Sequence, residues 1–222
     1  MKVGLNVEVK IREIIRLLRL EYPEVEITLN FKTPLELLVS TILSTQCTDK
    51  RVNQVTEALF KKYRKVEDYA EAELSELEEV IRPTGFYRNK ARSIRDSCKM
   101  IVERFDSHVP DNMDDLLKLR GVARKTANIV LSNGFGVVVG IAVDTHVRRL
   151  SQRLGLTENK NPTKIEEDLM KLVPHDEWSS FSSLLVEHGR SVCKARRPLC
   201  PVCVLGKRCC PFVSSVSEVV SR

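Results

Sequence analysis

Four closely spaced cysteines are the residues of this sequence whose type and spacing point most directly to chemistry. Cys193, Cys200, Cys203 and Cys209 form the pattern C-x6-C-x2-C-x5-C. Thiolates at this spacing can surround one metal centre with little secondary structure between them, because the bound metal then serves as the core of the loop. The spacing leaves both an iron–sulfur cluster and zinc open, since four cysteines bind either. It also leaves Cys210 open in place of Cys209.

A basic loop lies between the first two of these cysteines and contains Lys194, Arg196 and Arg197. From Gly189 to Cys210 the chain has six basic residues and no acidic one. Cations that a rigid loop holds away from carboxylates are suited to contact phosphates. The same residues could also form an ordinary solvated loop.

A short turn opens onto a helical segment around residue 121. The turn and the start of the helix contain Arg120, Gly121, Ala123 and Arg124. Backbone N–H groups at the start of a helix are free to bind an anion, and two cations stand beside them here. The segment therefore predicts a site for one phosphate.

Lys125 and Asp144 are the candidates for catalysis. Lys125 lies in the first turn of that helix, where positive surroundings and desolvation favour the free amine, which is a nucleophile. Most lysines in such positions are simply solvated. Asp144 precedes another helix and is expected to cap it, a role compatible with acid–base chemistry. His146 has no neighbouring metal ligands in the sequence and is interpreted as structural or supporting.

These segments together resemble the endonuclease III family of DNA glycosylases, which belongs to the helix-hairpin-helix superfamily. The resemblance extends from about Thr33 to Pro211 and rests on Thr-Gln-x-x-Asp, the hairpin with Arg-Lys-Thr-Ala-Asn, Val-Asp-Thr-His and the cysteine spacing. The hairpin of the family usually reads Leu-Pro-Gly-Val-Gly. Arg120 replaces the proline and Ala123 replaces the second glycine, which still allows a turn that faces a phosphate.

The resemblance implies a role for each candidate. Lys125 would attack the sugar carbon, and Asp144 would promote cleavage of the glycosidic bond. Gln46 would fill the space left by an extruded base, and Phe86, where leucine is common, would act as a wedge between bases. Without the resemblance, Gln46 and Phe86 would be interpreted as ordinary surface loop residues.

The resemblance also implies a cofactor and a domain organisation. It favours a [4Fe–4S] cluster bound by the first four cysteines named above, with Cys209 as the last ligand. It implies two helical domains that flank a DNA-binding cleft. Residues 27–137 would form a six-helix barrel domain with the helix-hairpin-helix, and residues 1–26 and 138–222 a discontinuous domain with the cluster loop.

The resulting hypothesis is a bifunctional DNA glycosylase and abasic lyase, active as a monomer on double-stranded DNA that contains damaged pyrimidines or abasic sites. It would excise oxidised pyrimidines through an imine and nick the strand by β-elimination. One alternative is a monofunctional mismatch glycosylase of the same superfamily, which typically lacks the lysine. The other is a non-catalytic DNA-binding or redox-sensing iron–sulfur protein.

Amphipathic helical patterns run through most of the chain and predict the all-α fold that must position these residues. Residues 8–21 carry isoleucines and leucines on one helical face. Thr33 and Glu36 form a predicted capping box with Pro34 at the first helical position.

Three further local predictions concern the remaining segments. A helix over 75–81 is expected to begin with a capping box of Ser75 and Glu78. The helix that starts near Trp178 is expected to end at Gly189 as its C-cap. The apolar run 137–143 is interpreted as a buried connection or helix, because no second strand could pair with it.

Charge and hydropathy limit the partners. Lys+Arg exceed Asp+Glu by 36 − 30 = 6 and the pI is about 9.0, which favours an acidic partner such as nucleic acid. The start MKVGLNVEVK lacks the apolar core of a signal peptide, and no run is long enough to span a bilayer. We therefore expect a soluble intracellular protein, cytoplasmic or nucleoid-associated, with no membrane partner.

Overall fold

The computed structural model describes residues 7–25 and 27–213, and within these ranges it is helical, with turns and no strand. The all-α fold predicted from the helical patterns is confirmed. The chain divides into two compact units. We call Ile27–Val139 the central unit, and Met1–Glu26 with Gly140–Arg222 the terminal unit.

The α-helices within the described ranges are, in chain order, α1 (Val7–Glu21), α2 (Pro34–Leu43), α3 (Asp49–Lys62), α4 (Val66–Ala70), α5 (Leu74–Ile81), α6 (Tyr87–Arg104), α7 (Met113–Leu116), α8 (Arg124–Val130), α9 (Thr145–Arg153), α10 (Pro162–Leu172), α11 (Trp178–Ser191) and α12 (Gly206–Cys209). Short 3-10 turns occur at Arg82–Thr84, His175–Glu177 and Cys200–Val202, and α8 continues into a π-helical turn at Leu131–Phe135. None of the described helices has the length and apolar composition needed to cross a bilayer.

Helix α2 shows how the central unit is built. The Thr33 hydroxyl accepts the amide of Glu36 at 3.2 Å, and Pro34 opens the helix as predicted. The Glu36 carboxylate accepts the amide of Lys32 rather than that of Thr33, so only half of the predicted capping box forms. The rest of α2 is buried as far as Leu43, which places the end of the helix next to the polar turn that follows.

In the central unit one helix start differs from the prediction, and one short helix was not predicted. The capping box of Ser75 and Glu78 is wrong, because α5 begins one residue earlier and its N-cap is Glu73. Its apolar residues Leu74, Leu77 and Ile81 already form one helical face, and that face sets the start. Helix α4 was not predicted, because five residues are too few to show a helical period.

The terminal unit packs α1 and α9 against α11 around a separate apolar core. Helix α11 continues to Ser191, so the prediction of a C-cap at Gly189 is wrong. A Cβ atom at Gly189 would lie 2.7 Å from His146 Nδ1 and 2.9 Å from Arg149 Nη2. Glycine therefore allows the close approach of α9 to α11 at this point.

The apolar run 137–143 is a connection without regular structure. Val137 and Val139 are exposed, whereas Ile141 and Val143 are buried. The interpretation as a connection is confirmed, and the expected burial holds only for its second half. The first half lies in the central unit and the second in the terminal unit.

Candidate functional site

The predicted phosphate-binding turn joins α7 to α8 in the central unit. Gly121 has φ +79°, and a Cβ atom there would lie 2.9 Å from Cβ of Ser93 on α6. Ser97, also on α6, donates its hydroxyl to the carbonyl of Arg120 at 2.8 Å. The turn is therefore fixed against α6, and glycine is required both by the backbone conformation and by the close approach. The helix before the turn, α7, is only four residues long.

The start of α8 has no side-chain cap. Ala123, the N-cap residue, is extended and its methyl group cannot accept a hydrogen bond from the first amides. Arg120 forms an ion pair with Asp96, so part of its charge is already balanced. Arg124 is half-buried at the first position of the helix. The amides at the start of α8 therefore do not donate to a side chain at the N-cap position.

Lys125 is the second residue of α8 and its side chain is exposed. The buried residues of this helix, among them Ala127 and Val130, lie on another face. The desolvation that we expected around the amine is therefore not provided by the protein in this structure. Water would have to be excluded by a bound partner.

Gln46 and Phe86 share an uncommon backbone conformation. Gln46 has φ +53° in the turn after α2, and Phe86 has φ +48° as the N-cap residue of α6. Both side chains are exposed, Phe86 to 64%. A left-handed conformation costs a residue other than glycine about 1 kcal/mol, and such residues are concentrated at functional sites. The sequence contained no signal for this conformation.

Asp144 caps α9 in the terminal unit, as predicted. Its Oδ1 accepts the amides of His146 at 2.7 Å and Val147 at 2.8 Å. Arg149 donates to Nδ1 of His146 at 3.1 Å, and burial lowers the pKa of this histidine. The cap holds the carboxylate in one place, and His146 belongs to the structure that supports it.

Two arginines on α9 bind the backbone of the cysteine loop, which we define as residues 193–209. Arg149 donates from Nε and Nη2 to the carbonyl of Cys193 at 3.2 and 3.0 Å. Arg153 donates to the carbonyls of Lys194 at 2.8 Å and Ala195 at 3.0 Å, and to Sγ of Cys193 at 3.3 Å. Neither arginine was predicted from the sequence to have a role. The available signal was their spacing of four, which places them on one face of the helix that Asp144 caps.

The basic part of the cysteine loop is closed on itself. The amide of Leu199 donates to the carbonyl of Val192 at 3.0 Å, so the chain returns to its starting point after the basic residues. Lys194, Arg196 and Arg197 are all exposed. Three exposed cations thus extend from a short loop whose backbone carbonyls are bound by Arg153.

The cysteine sulfurs of this loop are the candidate metal ligands. Burial raises the pKa of the Cys203 thiol, and hydrogen bonds from the backbone of Gly206 and Leu205 oppose that rise. In the described part of the chain, however, no three Cys, His, Asp or Glu side chains already stand in the arrangement of a metal site. Arg153 donates to Sγ of Cys193, and Nε2 of His188 lies 3.4 Å from Sγ of Cys203. Contacts of this kind stabilise thiolate ligands, so the surroundings of Cys193 and Cys203 suit thiolates bound to a metal.

Comparison with known proteins decides the family. Residues 39–175 match the model of the HhH-GPD superfamily of base excision DNA repair proteins. Endonuclease III of Synechocystis sp. is 53% identical over 197 residues, which cover 89% of this chain and 90% of that protein. The chain belongs to the endonuclease III family. The family inferred from the four separated motifs is thereby confirmed.

Solved structures of the endonuclease III family extend the comparison. A non-covalent endonuclease III–DNA complex matches with a TM-score of 0.89 and 42% identity, covering 95% of this chain and 98% of that one. A trapped covalent endonuclease III–DNA intermediate matches equally well. The predicted activity, that of a base excision repair glycosylase and lyase acting on DNA, is confirmed at this level. The roles of individual residues stay predictions.

Proposed function

We propose that this chain excises oxidised pyrimidines from duplex DNA with Lys125 as the nucleophile. The free amine would bond to the sugar C1′ while the glycosidic bond breaks and the base leaves with its electron pair. Ring opening would then produce an imine, and β-elimination would nick the strand. The observation that carries the proposal is an exposed amine on the first turn of α8, beside an uncapped helix start that suits a phosphate.

Asp144 would support this step from its capped position. Its carboxylate would stabilise positive charge that develops on the sugar and would accept a proton from the attacking amine. Two backbone hydrogen bonds to Oδ1 support this role, because they fix the carboxylate before the substrate binds.

Double-stranded DNA with a damaged pyrimidine or an abasic site would be the partner. The hairpin residues Arg120, Gly121, Ala123 and Arg124 would contact one phosphate, and the exposed cations Lys194, Arg196 and Arg197 another part of the backbone. Gln46 and Phe86 would displace and replace the extruded base. We further propose that the protein acts as a monomer in association with the chromosome.

The cysteine loop would hold a [4Fe–4S] cluster through Cys193, Cys200, Cys203 and Cys209. When bound, the cluster would supply a rigid core for the loop rather than a step of base removal. Cys210 is less suited as a ligand because its thiol donates to the carbonyl of Arg153 at 3.5 Å. Arg153 binds the backbone at the start of the loop and thereby fixes the position of the loop's cations.

An assay on three labelled duplexes tests the proposed function. They carry thymine glycol opposite adenine, an abasic site, or a G·T mismatch. We expect base release and nicking on the first, nicking on the second and neither on the third. Base release from the mismatch without nicking would favour a monofunctional mismatch glycosylase. Binding without cleavage of any duplex would favour a non-catalytic DNA-binding protein.

A further inference from the structure

Lys90 is a buried lysine for which the proposed chemistry has no use. It lies in the first turn of α6 and is only 5% exposed. Burial lowers the pKa of its ammonium group, so the group is kept at a cost in desolvation. A lysine in such a position needs hydrogen-bond partners that compensate for the lost water.

The partners of Lys90 are two backbone carbonyls from separate segments. Nζ donates to the carbonyl of Leu43 at 2.8 Å and to that of Thr84 at 2.8 Å. Leu43 is the last residue of α2, and Thr84 is the last residue of the 3-10 turn that begins at Arg82. Carbonyls at the ends of helices lack partners within the helix and carry partial negative charge, so one ammonium group stabilises both ends.

The two segments are those that carry the exposed left-handed residues. Gln46 follows Leu43 by three positions, and Phe86 follows Thr84 by two. The amide of Lys90 itself donates to the carbonyl of Phe86 at 3.1 Å. Lys90 is therefore hydrogen-bonded both to the segment that precedes Gln46 and to the segment that contains Phe86. Both of these side chains are exposed to solvent.

We propose that Lys90 is a positioning residue for base extrusion, which fixes the turn that carries Gln46 relative to the turn that carries Phe86. The inference rests on the proposed roles of Gln46 and Phe86. A wedge and a space-filling side chain must enter the DNA stack at a set separation. If that separation were free to vary, part of the binding energy would be spent on ordering the two turns.

The test compares Lys90→Met with a matched control. Methionine is similar in length and apolar but donates no hydrogen bond, and Ile101→Ala creates a defect on the buried face of the same helix, about three turns further on. Single-turnover rates are measured on thymine glycol paired with adenine, on the same lesion in an unpaired bubble, and on an abasic duplex. The folded fraction is determined for each variant by thermal melting.

We expect Lys90→Met to slow base release from the paired lesion by about tenfold, because extrusion of a stacked base costs a few kcal/mol that the two turns help to offset. The bubble and abasic substrates should lose less than about twofold, since their target is already unpaired. Ile101→Ala should change the three rates by one common factor. The double variant Lys90→Met with Phe86→Ala should lose less than the product of the two single losses, because part of the effect of Lys90 passes through Phe86.

Equal losses on all three substrates, or additive effects in the double variant, would overturn the role of Lys90. If Lys90→Met does not fold, Lys90→Gln, which keeps two N–H donors on a shorter side chain, is measured in its place; we expect the same selectivity for the paired lesion with a smaller loss. Gln46→Ala and Phe86→Ala are run in parallel. If these also lose activity equally on every substrate, the proposed base extrusion fails; if they are selective and the Lys90 variant is not, only the inference on Lys90 fails.

Discussion

Asp144 combines a structural and a proposed chemical role in one carboxylate, and two substitutions separate them. Asparagine is also a good N-cap residue, so Asp144→Asn should melt within a few degrees of the wild type. It should still slow base release by about 10²- to 10⁴-fold, because the charge is lost. Some imine should still form on a preformed abasic site.

Asp144→Ala provides the comparison, since it removes the cap as well and should cost about 1 kcal/mol of stability. Thermal melting and single-turnover base release distinguish the two variants. Base release at the wild-type rate in Asp144→Asn would contradict the catalytic role.

Gln46 and Phe86 should matter only when the target base is stacked. Gln46→Ala and Phe86→Ala keep a Cβ atom, so the cost of the left-handed backbone is unchanged and stability should be nearly that of the wild type. Each should slow excision from a paired lesion by at least about tenfold and affect an abasic duplex far less. The fluorescence of 2-aminopurine opposite the lesion measures unstacking directly. Normal unstacking in both variants would show that they act elsewhere.

At the residue scale, sequence motifs indicated which side chains are candidates for function. They gave less information on the hydrogen bonds that position those side chains. The cap by Asp144 followed from its place before an apolar helical run. Lys90 was detectable in principle, because it lies on the buried face that continues through Ile94 and Ile101. Its partners were not, since Leu43 is 47 positions away and backbone carbonyls leave no mark in a sequence.

At the scale of elements, the turn between α7 and α8 depends on Gly121 for two reasons, and Gly136 serves as the control for one of them. Gly136 has φ +69°, but a Cβ atom there would meet nothing within 4 Å. Gly121→Ala should therefore destabilise the protein by about 1–3 kcal/mol, and Gly136→Ala by about 1 kcal/mol from the backbone alone.

Only Gly121→Ala should also weaken binding to an abasic duplex, because the added Cβ displaces the turn from α6. Denaturant melts and fluorescence anisotropy measure the two effects. Equal DNA affinity in both variants would mean that the turn does not contact DNA.

Helices with a full apolar face were predictable, and short elements were not. The apolar pattern over residues 8–21 predicted α1 closely, because burial of one face stabilises a helix along its length. Helices α4 and α7 are too short for a period to appear and form where Asp68 and Asn112 accept backbone amides. Gly189 shows a different limit: its function is contact with α9, which only the packed structure reveals.

At the scale of the whole molecule, composition and cysteine spacing do not decide between an iron–sulfur cluster and zinc. The purified protein should be yellow-brown and contain about four irons, as expected for one [4Fe–4S] cluster. Cys203→Ser should lose iron and bind DNA more weakly, whereas Cys47→Ser in the central unit should retain both. Iron analysis and the visible spectrum provide the measurement. Stoichiometric zinc in protein prepared without air would contradict the cluster.

The proposed function depends on a covalent bond between the amine of Lys125 and DNA, and borohydride trapping detects that bond. Reduction of the imine on an abasic or thymine glycol duplex should produce a stable protein–DNA adduct, which mass spectrometry maps to Lys125. Lys125→Gln should produce no adduct and no nick but still bind the lesion, whereas Lys118→Gln, which removes an exposed lysine before the turn, should be trapped normally. Undiminished trapping of Lys125→Gln, with the adduct on another amine, would contradict this role of Lys125.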